Sequence, residues 1–105
     1  MTIKEFKILL ENTFEKSRKT YDHKMNEYAT DLDVFQSFKE GVGFSFQNTP
    51  EGVAWNYACK HFESIKNIIG KVPDEVPTDE LLDEKIGDAI NYLIIIKGLI
   101  KERGD

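Results

Sequence analysis

The stretch Glu84–Ile96, EKIGDAINYLIII, decides the fold. Its apolar residues recur at three- and four-residue spacing, which winds one face of an α-helix and does not alternate as a strand would. Upstream, Thr78-Asp79-Glu80 supplies a capping hydroxyl followed by two acids, a helix start, and the pattern continues to about Arg103 before Gly104. On a wheel of about 100° per residue, Leu82, Ile86, Ala89, Ile90, Leu93, Ile96 and Ile100 make the main stripe. Leu81, Tyr92, Ile95 and Leu99 make a second apolar strip, with Asp88 inside it and Glu84 and Asn91 on its border. A helix with two apolar faces is covered on two sides. In a chain of 105 residues the second cover is most simply another subunit, so a homo-oligomer is expected.

Three further segments carry helical periodicity. Ile3, Phe6, Leu10, Phe14, Tyr21, Met25 and Tyr28 share a stripe, which predicts one long helix to about Tyr28, bent near Asp22-His23. Thr30 or Asp31 could cap a second helix in which Val34, Phe35, Phe38 and Val42 share a face until Gly41 and Gly43 loosen it. Phe44 and Phe46 in the following loop are expected to fold back on the core. Thr49-Pro50-Glu51 opens a third helix, with Ala54, Ala58, Phe62, Ile65 and Ile69 as its buried stripe and Gly70 as its stop. The expectation is a single all-α domain over residues 1–105, a small antiparallel bundle of about four helices.

The totals narrow the function classes. A formal net charge of −5 argues against direct nucleic-acid binding and against docking on an anionic membrane. No run reaches the roughly 18 apolar residues of a membrane span, and MTIKEFKILLENTF has no apolar run fit for a signal peptide. The single cysteine, Cys59, cannot form an internal disulfide and reads as a buried, inert thiol in a reducing compartment, so a cytoplasmic protein is expected.

Two constellations could carry chemistry. A carboxylate in an apolar strip is costly to desolvate without a partner. Asp88 and Asn91 therefore either hydrogen-bond a neighbouring helix and set its register, or point with Glu84 into a cleft. Glu84 and Asp88, one turn apart, could there share Mg²⁺, a hard cation that prefers carboxylate oxygen. The second constellation is ACKHFESIKN, where His61 lies at the edge of the buried stripe and Lys60 and Glu63 face outward. His61 reads either as a structural histidine at the core boundary or as a hydrogen-bonding or acid/base group facing Asp88, a pairing that antiparallel packing of the third and fourth helices would allow. His23 reads as a solvent-facing histidine. No nucleophile elbow, phosphate-cradling glycine loop or histidine pair at metal spacing is present.

The succession YATDLDVFQSFK, TPEGVAWNYACKHFESI and EKIGDAINYLIIIKGLIKE resembles a family of small all-helical proteins of unknown function encoded by phages and prophages, over about Tyr21 to Glu102. Its last motif is also similar to the second metal motif of the MazG-like all-α nucleoside triphosphate pyrophosphohydrolases, with Asp88 at the aspartate and Lys85 at the glutamate position. The helix that would bear the first metal motif has Lys60, His61 and only Glu63, so the catalytic carboxylate set is incomplete. The resemblance implies a phage-type accessory protein in a bacterial host's cytoplasm. It would bind a nucleotide, with Lys60, His61, Asp88 and Asn91 lining the pocket. If active it would be a Mg²⁺-dependent pyrophosphohydrolase with Glu84 and Asp88 as metal ligands. The alternative is a non-enzymatic protein that binds a host factor through its acidic surface or apolar strip.

Overall fold

The computed structural model describes residues 1–28 and 33–105, with side chains as far as residue 22 and from residue 33 onward. Among these residues the regular structure is all α-helix: α1 (Ile3–Tyr28), α2 (Gln36–Phe44), α3 (Pro50–Lys71) and α4 (Asp79–Gly104). The bundle is organised around α4, which packs against α1 and α3, while α2 closes on α3.

Three of the helix starts are written in local chemistry. Thr2 and Glu5 form a reciprocal capping box: the Glu5 N–H donates to Thr2 Oγ1 at 3.1 Å and the Thr2 N–H to Glu5 Oε2 at 3.2 Å. Thr49 Oγ1 accepts from the Gly52 N–H at 3.1 Å with Pro50 in the first turn, and Thr78 Oγ1 accepts from the Leu81 N–H at 3.2 Å. The start of α2 has no side-chain cap. Instead Asp33 Oδ1 accepts from the Phe35 N–H at 2.9 Å, and Lys39 Nζ donates to Asp33 Oδ2 at 2.7 Å and to Glu102 of α4 at 3.0 Å. The proposed caps Thr30 and Asp31 lie outside the described residues, as do the side chains of His23, Met25 and Tyr28.

α3 and α4 run antiparallel. Arg103, near the end of α4, donates to both carboxylate oxygens of Glu51 in the first turn of α3, at 3.1 and 3.3 Å. Halfway along, His61 faces Asp88. The core lies between α2, α3 and α4: Phe38, Val53, Ala54 and Leu99 are buried, with Phe35, Val42, Tyr92, Ile95 and Ile96 packed against them. Glycine allows the closest approach here, since a Cβ on Gly41 would stand 2.8 Å from Val53 Cγ1. That explains a glycine inside α2, which runs on through Gly41 and Gly43 to Phe44.

Several expectations are corrected. Tyr92, Ile95 and Leu99 of the second strip are covered within the chain by α2 and α3, so that strip needs no second subunit to bury it. The main stripe is the face left partly open, with Leu93 and Ile100 exposed. Phe44 and Phe46 do not fold back: they are 94% and 104% exposed, because α2 ends at Phe44 and the chain continues extended from Ser45. Cys59 is exposed, one residue beyond fully buried Ala58 and so rotated off the buried face. Ile69 is also exposed, and α3 passes through Gly70 to Lys71.

Candidate functional site

The residues singled out for chemistry separate onto two sides of α4. On the α3 side, the three-residue step from Ala58 to His61 and the four-residue step from Asp88 to Tyr92 bring one histidine, one acid and one phenol to the same level of the seam. His61 Nδ1 lies 3.7 Å from Asp88 Oδ2, the imidazole partly and the carboxylate largely buried. The His61 ring stacks on Tyr92 with centroids 4.9 Å apart and planes 27° from parallel. Tyr92 in turn stacks on Tyr57 at 6.2 Å, and Phe38 meets both tyrosines edge-on at 6.3 Å. Lys60 Nζ stands 5.4 Å from the Tyr57 ring centroid, a cation–π distance, on the exposed end of the stack. The seam thus presents a cation, an imidazole and a carboxylate along a stack of aromatic rings.

Asp88 is held here by packing on both flanks: Gly87 and Ala89 are buried beside it. Glu84, one turn earlier, is exposed, and its Oε1 lies 3.8 Å from Lys85 Nζ. Each carboxylate of the proposed metal pair therefore has a basic neighbour, Lys85 for Glu84 and His61 for Asp88. Among the described residues, no group of three or more His, Cys, Asp or Glu side chains gathers as a metal site.

Asn91 belongs to the other side. Its Nδ2 donates to the backbone carbonyl of Ser17 on α1 at 3.2 Å, so it ties α4 to α1 and does not join Lys60 and His61. Beside it runs a groove of about 490 Å³ between α1 and α4, lined by apolar residues that include Phe14, Tyr21, Ile90 and Ile94. Ser17 is 3% exposed, and among the described residues its Oγ has no hydrogen-bond partner. Nearby, Lys16 Nζ donates to Asp83 Oδ2 at 2.8 Å, and that hydrogen bond raises the Lys16 pKa. Sequence reasoning missed this groove. Its one advance signal was Ser17, the polar gap in the apolar stripe of α1.

No protein-family model, curated protein or solved structure matches the chain. Among the described residues no helix is long and apolar enough to cross a membrane.

Proposed function

We propose that the protein binds a nucleotide-type ligand, an aromatic base carrying a phosphate chain, at the α3–α4 seam, and that it acts as a binder and not as a hydrolase. The observation that carries the reading is the juxtaposition of Lys60, His61 and Asp88 across the antiparallel seam. These three residues were proposed from two distant motifs, and they sit beside rings whose faces suit stacking. Lys60 supplies a mobile cation for phosphate, and His61 supplies a donor positioned by Asp88. The similarity of the last motif, with Asp88, to the second metal motif of the MazG-like pyrophosphohydrolases supports the same ligand class. Hydrolysis is not part of the proposal, because Glu84 and Asp88 face Lys85 and His61 and no step through Mg²⁺ can be built from them.

A thermal-shift screen of nucleoside mono-, di- and triphosphates, with and without Mg²⁺, tests the reading. A ligand at a hundred times its Kd adds about 2.7 kcal/mol to the folded state. In a domain of this size that raises Tm by roughly 10 °C or more. Lys60→Ala and Asp88→Asn should remove the shift while leaving the unliganded protein helical. No shift with any nucleotide would overturn it, and pyrophosphate release lost in Asp88→Asn would replace binder by enzyme. A second reading, protein binding, is favoured by a separate observation: the apolar side chains left exposed on α1 and α4.

A further inference from the structure

The chain exposes 8257 Å² and has a radius of gyration of 15.8 Å. A compact monomer of 12.1 kDa would expose roughly 6,000 Å² with a radius near 13 Å. Part of the excess, which is on the order of 2,000 Å², comes from the start of α1. Residues 1–12 are exposed without a break, and Lys16 already meets Asp83, only one turn inside the start of α4. The first turns of α1 therefore overhang the bundle. Yet they carry an apolar stripe, Ile3, Phe6 and Leu10 with Leu9 at its edge, that continues into Phe14 at the groove; all five are about half exposed or more.

We propose that a second copy of the chain covers this stripe, the two α1 helices pairing antiparallel about Leu10. The area favours this occupant. A large aromatic side chain presents about 150–250 Å² when uncovered and an aliphatic one somewhat less, so two phenylalanines, two leucines and an isoleucine at these exposures offer on the order of 500 Å² of apolar surface. Homodimer interfaces are about 65% apolar. That scales to about 800 Å² per copy, the size of a standard stable interface. A two-fold axis also makes the stripe its own complement. Phe6 and Phe14 are each four residues from Leu10, about 6 Å along the axis, so the partner's Phe6 falls opposite Phe14. The partner's Ile3 then falls level with Ser17, at the mouth of the apolar groove. Each copy thus fills the other's groove with the end of the stripe it cannot bury itself. The pairing uses the α1 side of α4 and is independent of ligand binding at the α3 seam.

Sedimentation at high micromolar concentration should give about twice the 12.1 kDa chain mass. Leu10→Asp and Phe6→Glu, both exposed in the isolated chain, should give single-chain mass with unchanged helical circular dichroism. Ile8→Asp, on the opposite face of α1, should remain dimeric. In a Cys59→Ser background, Leu10→Cys should oxidise to a covalent dimer and Ile8→Cys should not, since a disulfide needs close Cβ atoms. A wild-type chain of single-chain mass overturns the proposal, and so does a dimer that survives both Leu10→Asp and Phe6→Glu. Equal cross-linking at positions 8 and 10 overturns the register.

Discussion

The buried hydroxyl of Ser17 makes a sharp energetic prediction. Its Oγ has no partner among the described residues, and it would stand 3.1 Å from a Cβ placed on Gly87 of α4. An unsatisfied buried hydroxyl costs about 1–3 kcal/mol, and alanine is the better helix former by a few tenths. Ser17→Ala should therefore stabilise by about 1–2 kcal/mol, raising Tm by roughly 4–8 °C per kcal/mol. Gly87→Ala alone should be nearly neutral, because the gain of about 1 kcal/mol for replacing a mid-helix glycine is offset by crowding against the hydroxyl. With Ser17→Ala the obstacle is gone, so the double variant should exceed the sum of the two by about 1 kcal/mol, well beyond the ordinary additivity error of about 0.3–0.5. The Asn91 hydrogen bond goes to the backbone carbonyl of Ser17 and is unchanged in every variant. Denaturant melts at one fixed protein concentration read all three values, since association would make Tm concentration-dependent. Loss of 1 kcal/mol or more in Ser17→Ala would refute the reasoning by showing that the hydroxyl has a partner. Strict additivity would refute the contact with Gly87.

Thr49→Ala, which leaves the Gly52 N–H without its acceptor, should cost about 1 kcal/mol, and Thr49→Ser almost nothing, by urea denaturation. Gly41→Ala should destabilise by about 1–2 kcal/mol despite its helix propensity. The new methyl meets the stiff, buried side chain of Val53 at 2.8 Å, and Val53→Ala in the same chain should recover part of that loss in the same melts. Lys39, hydrogen-bonded to Asp33 Oδ2, holds the Asp33 carboxyl below its ordinary value, aided by the Phe35 N–H. A lowered carboxyl pKa contributes stability that is present above the ordinary carboxylate range and lost as pH falls through the folded value. Carboxyl NMR titration should therefore show Asp33 ionised at lower pH than a free aspartate, and Lys39→Met should return it toward the ordinary value.

What the sequence made legible was local. Thr49 and Thr78 cap the helices they precede, because a cap depends on residues within one turn. The pairing of His61 with Asp88 was also legible, since antiparallel packing of two adjacent helices fixes which residues share a level. The wheel could find two apolar sides of α4, but it could not say which helix covers each. Phe38 and Tyr57 pack around Tyr92, and that arrangement of three helices made the smaller strip the interior. Cys59 and Phe46 were misread for the same reason: apolar neighbours along the chain say little about which side a residue faces. Asn91 was grouped with Asp88 because it borders the strip in which Asp88 lies. Three residues are nearly a full turn, and the remaining rotation carried Asn91 to α1.

These placements give α4 three distinct faces. Asp88, Tyr92 and Leu99 look toward α3, Gly87 and Asn91 toward α1, and Leu93 and Ile100 outward. The polar residues that made this helix look like a spoiled core element lie on the first two faces, where each meets a named partner. The outward face carries no such device. Leu93 and Ile100 are flanked by Lys97 and Lys101, whose long stems can lie over apolar neighbours while their charges stay in water. The overhang of α1 differs: its stripe continues from Phe14 at the groove past the end of α4, where residues 1–12 are exposed without a break among the described residues. That contrast is why the second copy is placed on α1 and not on the open face of α4.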